Sequence, residues 1–567
     1  MNKFLRSALG ILLSGALLAG CTSLPSDTEP QALRPFSPGE PVDAEIQPTP
    51  GAEPDLLLRD FFTASARPSM DYEAARSFLA EEANQVWNPQ ASTLIVDRVD
   101  LITQAGATAA ERTFAVRGNV IGQLAEGGAY QVENGVYEAQ IEMEKEDGEW
   151  RISSLPEGVV LERTELRNQY EPHNLYFFEP GGRLLVSDRR WVYAGQETLD
   201  SVLISLMMEG PGANIAPAVD FSLPAEAVFS GVQDGIYKFS GLAGLDTSER
   251  QSFAAQLVWT LAMANIPGPY AVEVDGLPIS ENFPVLSTDD FAEFNPRANV
   301  GTPAPLYALN EGRLLRVGAN QANPVEGDLR EISDIESADI TSDRTGAVVR
   351  RRGDESVLAL GGVNEPLGEV LRADSISRPS FEPDHAAVWV AVDGNRVTRV
   401  VRSTATGEVV QSEVDTSFLN EMDGEISVLR LSRDGARVAM IIGGRVYTGV
   451  VNRPGTGQRR IVNVQEMAPQ LAGSALALDW QPDGSLLVGT SSPESPIWRV
   501  EKDGSAVASL PSGNITAPVV AVAASSSTLY VTDARAVLQM PVNGGDSAFW
   551  REVPGLQGMR SSPVVAN

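Results

Sequence analysis

The chain has 567 residues, 43% hydrophobic and 21% charged, too long for one domain of about 150 residues and too apolar to be mostly disordered. Its 43 Lys and Arg stand against 75 Asp and Glu, a formal charge of -32, which argues against nucleic acid as a partner and against electrostatic adhesion to anionic headgroups. Only four basic residues are lysine (Lys3, Lys145, Lys238 and Lys502), an arginine bias expected of a GC-rich genome.

Lys3 and Arg6 precede an apolar or small run over residues 7–20, which ends in Leu18-Ala19-Gly20 directly before Cys21. A short basic segment followed by about a dozen apolar residues predicts a secretory signal peptide over 1–20, short of the roughly 20 residues that span a bilayer. Leu-Ala-Gly-Cys resembles the bacterial lipobox, which implies cleavage before Cys21 and lipidation of its thiol. An ordinary signal peptide with an incidental cysteine is the alternative. Because Cys21 is the single cysteine, an intramolecular disulfide, a redox pair or a cysteine zinc cluster is excluded. A diacylglyceryl group on Cys21 would hold the protein on the extracellular face of the cell membrane, since two acyl chains anchor far better than one. Residues 21–54 are rich in Pro, Ser, Thr, Glu and Asp, from Pro25 to Pro54, and read as an extended tether that buries no core.

Residues 55–168 are expected to form an α+β domain. Leu56–Phe62 and Tyr72–Leu79 have helical spacing, while Thr93–Val96, Thr113–Val116, Val136–Ile141 and Trp150–Ile152 read as strands of a curved antiparallel sheet. Helices on such a sheet can enclose a cone-shaped pocket; the simpler expectation is that Trp87, Trp150 and the phenylalanines fill the core.

Residues 169–288 predict a second α+β domain. Leu175–Phe178 and Leu184–Val186 flank Pro180-Gly181-Gly182, a hairpin signal. Leu199–Met208 is a helix stopped by Gly210-Pro211-Gly212, Ser248–Ala264 is a second helix, and Ala271–Gly276 a strand and turn. These segments, with Leu223-Pro224 and the Leu257–Leu261 stretch, resemble the GerMN domain, whose pattern supplies no catalytic groups.

Residues 289–567 are assigned to an all-β domain. A strand, a polar turn and a second strand recur around Asp343, Asp384, Asp434 and Asp483, which lie 41, 50 and 49 residues apart, with a degenerate copy at Ala524–Val531. Such periods match propeller blades, which bury their faces only against neighbours and therefore close into a ring. With Pro305–Leu309 and Pro563–Ala566 as strands of one shared closing blade, six blades are expected; seven, an irregular ring or a two-sheet sandwich are the alternatives.

Catalytic machinery is not expected. A Ser-His-Asp arrangement needs a histidine base, but His173 is expected just before a strand and His385 in a blade turn, about two hundred residues apart. Gly241–Gly244 reads as a turn, not a dinucleotide motif. Asp289-Asp290 and the acidic stretch Asp334–Asp343 read as solvated faces in preference to the paired carboxylates of glycoside chemistry. No metal or other cofactor is expected.

The whole order (lipobox, tether, helix-then-sheet domain, GerMN-like block, propeller) resembles the LpqB family of actinobacterial lipoproteins, with Tyr72–Pro89, Leu223–Asp234 and Phe253–Gly276 carrying the likeness best. The resemblance implies an accessory to the MtrAB two-component system that contacts the extracellular domain of the sensor kinase MtrB and tunes signalling in envelope homeostasis and division. It carries over one functional residue, Cys21. Binding of a wall glycan or peptidoglycan fragment, or scaffolding of an envelope complex, are the competing expectations.

Overall fold

The computed structural model describes residues 46–280, 284–298, 304–403, 406–544 and 549–566. The signal segment, Cys21 and most of the tether lie outside the described residues. Residues Pro48–Asn567 form one compact unit.

The first helix, Pro54–Ala64, opens on Pro54 at a position where its missing N–H is no loss, and turns Leu57, Leu58, Phe61 and Phe62 inward. Pro54 is itself buried, and the Gly51 N–H donates to Glu149 Oε2 at 2.8 Å. The expected tether boundary at residue 54 is therefore corrected, since its last residues are bonded to the domain. Six strands form one sheet: Thr93–Val96, Asp100–Thr103, Glu111–Leu124, Tyr130–Glu146, Glu149–Ser154 and Val159–Glu162. The expectation of an antiparallel sheet is corrected to a mixed one, because Thr93–Val96 pairs in parallel with Val159–Glu162. After Ser154 the chain crosses the sheet instead of turning back, and the apolar run Val159–Leu161 fills the place beside Thr93–Val96. Phe61, Phe78, Tyr72 and Trp87 form a chain of ring contacts at 5.8–6.5 Å, and Trp87 and Trp150 are buried. The aromatics thus fill the core, as the simpler expectation has it.

In the second domain the hairpin Tyr170–Phe178 and Leu185–Tyr193 packs on the helix Thr247–Met263. That helix starts with a reciprocal cap between Asp246 and Glu249, and every residue from Phe253 to Leu261 is buried because elements cover it on all sides. A four-stranded sheet of Val228–Gln233, Ile236–Ser240, Ala271–Val274 and Leu277–Pro278 completes the domain. The core runs past residue 288, where the propeller had been expected to begin. The turn Thr288–Phe294 packs inward: the Trp259 indole donates to the Phe291 carbonyl at 2.9 Å, and Phe294 meets Phe178 edge-on at 4.9 Å.

Beyond it stand six four-stranded antiparallel sheets among the described residues. The first joins Leu306–Asn310, Arg313–Val317 and Ala322–Pro324 to the C-terminal strand Ser562–Val565, and the others follow in chain order from Ile335 to Glu552. Each neighbouring pair of sheets shares its own apolar cluster, such as Trp389 and Val397 with Leu429 and Met440. Val537 and Val553 of the sixth sheet meet Ala308 of the first, which closes the ring. The recurring aspartates sit between first and second strands and accept the N–H two residues on: Thr345 at 3.2 Å, Ala386 at 3.1 Å, Ala436 at 3.1 Å and Ser485 at 3.0 Å. A short side-chain acceptor holds such a turn without help from the core. In the sixth sheet Ser525 Oγ takes the role, accepting from Thr528 at 3.0 Å.

Candidate functional site

Four residues before each turn aspartate, on the innermost strands, stand Asp339, Ser380, Arg430 and Asp479. The common offset aims them at the ring's centre. There the Arg430 guanidinium donates to Asp339 Oδ1 at 3.1 Å, Asp479 Oδ1 at 3.3 Å and the Pro379 carbonyl at 2.6 Å. Arg378 adds a bond to the Ala338 carbonyl at 3.1 Å and an ion pair with Asp339 at 3.5 Å. Arg430, Asp339 and Asp479 are all buried, at 5%, 6% and 4% exposure, so each charge requires the others. Burial alone would lower the Arg430 guanidinium, but the two carboxylates outweigh it and hold it above its usual range.

This network floors a cavity of about 270 Å³ at the channel mouth. Its wall includes Glu382, His385, Ser432 and Arg433 from the first turns of the third and fourth sheets. Glu382 accepts from the Trp389 indole at 2.9 Å and from both arms of Arg399 at 2.7 and 2.9 Å. Burial on its own would raise this carboxyl; the Arg399 bonds outweigh that and pull it below the usual range. Arg433 donates to the Ala524 carbonyl at 3.3 Å, and burial lowers its guanidinium.

Beside the mouth, sharing Glu382 and Pro383 with it, is a second cavity of about 540 Å³ between the propeller and the hairpin of the second domain. Arg183 pairs with Asp384 at 3.1 Å, and the buried Glu179 binds Arg453. The seam continues through Arg189, paired with Glu501 at 2.8 Å and Asp503 at 3.4 Å, and through the Trp191 indole, which donates to Asp503 at 3.1 Å. Lys502 is buried here, donating to Asn174 Oδ1 at 2.7 Å and Ser187 Oγ at 2.8 Å. Burial, reinforced by Arg189 and Arg437 against Asp503 and Asp434, pushes its ammonium down to about 7. The N-terminal domain joins through Gln465, which donates to the Val132 carbonyl at 2.6 Å, and Arg190, which donates to the Gly127 carbonyl at 3.2 Å.

The residues singled out from sequence are not gathered into one site. Cys21 is outside the described residues. His173 lies inside the hairpin strand opposite Arg190, not before it, because pairing begins already at Tyr170. His385 is in a turn, its Nδ1 3.3 Å from Asp343. Asp290 caps its own turn through Ser287, and Gly241–Gly244 is a turn. The stretch Asp334–Asp343 is no plain solvated face: Asp339 is buried on Arg430, and Asp334 binds Arg350 at 2.7 Å. The signal for the central network was present, since a lone charge inside an apolar strand recurs at one offset from the turn.

The fold defines a β-propeller protein that carries two α+β domains clamped to the ring by ion pairs and buried side chains. Family profiles agree segment by segment: "Lipoprotein LpqB, N-terminal domain" over residues 47–167, "Sporulation and spore germination" over 174–280 and "Lipoprotein LpqB beta-propeller domain" over 312–566. Lipoprotein LpqB of Corynebacterium diphtheriae is 42% identical over 97% of both chains. Those of Rhodococcus jostii (39% identical; 99% of this chain and 98% of the relative) and Mycobacterium bovis (33%; all of both) follow the same end-to-end match. The chain belongs to the LpqB lipoprotein family.

Proposed function

We propose that this lipoprotein is a non-catalytic accessory of a sensor kinase: anchored through Cys21 on the extracellular face of the cell membrane, it binds the extracellular domain of an MtrB-like kinase and modulates MtrAB-type signalling. The observation that carries the reading is the seam. Three domains are locked into one body by Arg189, Lys502, Arg453 and Gln465, so a contact on one domain is felt by the others. Propellers and their turns offer broad polar surfaces suited to protein partners, and family membership supports the lipid anchor.

Two experiments test it. Calorimetry at physiological salt between the chain from Thr22 to Asn567 and the kinase extracellular domain is expected to give saturable binding; absence of binding between two folded proteins refutes the partner. In cells, Cys21→Ala is expected to move the protein from the membrane to the soluble fraction, and unchanged partitioning refutes the anchor.

A further inference from the structure

Three lysines follow Cys21, and their surroundings differ. Lys145 is exposed and Lys238 pairs with Glu273. Lys502 is 8% exposed, and among the described residues its nitrogen has two hydrogen-bond partners, both neutral: Asn174 Oδ1 at 2.7 Å and Ser187 Oγ at 2.8 Å. Two acceptors satisfy an uncharged amine, which has two N–H bonds and keeps its lone pair free, whereas an ammonium carries a third donor. The hairpin sets guanidiniums around this nitrogen. Asn174 is paired directly with Arg189, which lies two residues from Ser187 on the same face of its strand. Arg437 donates to the Ser187 carbonyl at 2.8 Å. Carboxylates stand near as well: Glu501 and Asp503 hold Arg189, Asp434 is 3.6 Å from Arg437, and Asp188 is taken by Arg190. At Lys502 the two guanidiniums outweigh Asp503 and Asp434, and together with burial they keep the amine largely uncharged above neutral pH. Arg189 Nε is buried and has no acceptor among the described residues. Arg189, Arg437 and Lys502 line one cavity of about 70 Å³ where the three domains meet, together with Tyr130 and Gln465, which leaves room for a carboxylate group. A desolvated lysine beside cationic groups is a nucleophile, and these neighbours favour a product that is an anion.

We infer that Lys502 is a carbamate-forming site: its amine adds carbon dioxide, and the carbamate is held by Arg189 and Arg437. The nitrogen lone pair attacks the carbon of carbon dioxide, an N–C bond forms as one C=O pair moves onto oxygen, and one N–H proton leaves to water. The remaining N–H keeps Asn174 Oδ1 as its acceptor, and the Ser187 hydroxyl turns to donate to the new carboxylate. A repelled cation is thereby exchanged for an anion that pairs a guanidinium from each side of the seam, Arg189 of the second domain and Arg437 of the propeller. Dissolved carbon dioxide then tightens the clamp between the two domains. The inference needs no protein partner and stands apart from the kinase reading.

The test equilibrates the chain from Thr22 to Asn567 with isotope-labelled bicarbonate at about pH 8, where lysines of ordinary surroundings stay charged. The carbamate carbon is recorded by NMR and trapped with triethyloxonium for peptide mass spectrometry. An ethoxycarbonyl group on the Lys502 peptide, with about tenfold less on those of Lys145 and Lys238, is the expected result; the amino terminus, which also reacts, falls in a separate peptide. Arg437→Gln should lower the trapped fraction about tenfold, the worth of one hydrogen bond to a charged group, with part restored in Arg437→Lys. Should Arg437→Gln fail to fold, the melting temperature of the intact chain decides: it is expected to rise in bicarbonate over equal chloride at fixed pH, and Lys502→Met to abolish that rise. No trapping on Lys502 in the folded chain, equal trapping on all three lysines, or an undiminished fraction in folded Arg437→Gln overturns the inference. So does a melting temperature that bicarbonate leaves unmoved, or a rise that persists in Lys502→Met.

Discussion

Arg430 joins three sheets, through Asp339 of the second, Pro379 before the third and Asp479 of the fifth, while standing on the fourth. Arg430→Ala leaves two buried carboxylates without their shared cation, and a loss of about 3–5 kcal/mol is expected in denaturant unfolding. Arg378 remains near Asp339, so Asp479 should suffer most. Lys502 acts in the opposite sense, as a buried base whose partners Asn174 and Ser187 are neutral. Its ammonium titrates near 7 folded against 10.5 for a free lysine, so between these values the unfolded chain holds more protons. Stability at the seam therefore rises with pH across that window: the contribution is fully present above about 10.5 and gone below about 7. The unfolding midpoint is expected to climb from pH 7 to pH 9, and Lys502→Met to flatten that climb. Lys502 drew notice in the sequence only as one of four lysines; nothing local marks it as buried, because the residues that bury it come from some three hundred positions away.

Among the elements, the turns were the most legible. Asp343, Asp384, Asp434 and Asp483 each bond their own backbone, so the hairpin is written in four or five adjacent residues. The helices Pro54–Ala64 and Thr247–Met263 were legible from the helical spacing of Leu56–Phe62 and of Phe253, Leu257 and Leu261, which is also local. The strand Val159–Glu162 was missed because its place is decided by a parallel partner, Thr93–Val96, sixty-six residues earlier. Ring closure is the element with most at stake. Ser562–Val565 pairs with Leu306–Leu309, and Val564 and Val565 are each 2% exposed. Deletion of residues 562–567 opens the first sheet and exposes the innermost apolar row. Loss of the cooperative unfolding transition and rapid proteolysis between the first and sixth sheets are expected, measured by calorimetry and limited digestion.

For the whole molecule the seam decides whether the domains behave as one body. Asp503 holds Arg189, the Trp191 indole and its own turn through Ser505, whose N–H and hydroxyl lie at 3.1 and 2.6 Å. Asp503→Ala is expected to split the calorimetric transition into separate meltings of the second domain and the propeller, whereas the intact chain should melt them together. The like-charge load of the acidic chain works against compaction, and the concentration of arginines at the seam offsets it where the domains meet.

The order and class of the domains and their hairpin turns could be read along the chain, because turns, motif spacing and repeat periods are properties of neighbouring residues. That Asp339, Arg430 and Asp479 form one buried network, and that Lys502 loses its water, follows only from the fold. Burial and charge pairing are set by residues far apart in the chain, and a side chain's electrostatics follow from what surrounds it in space.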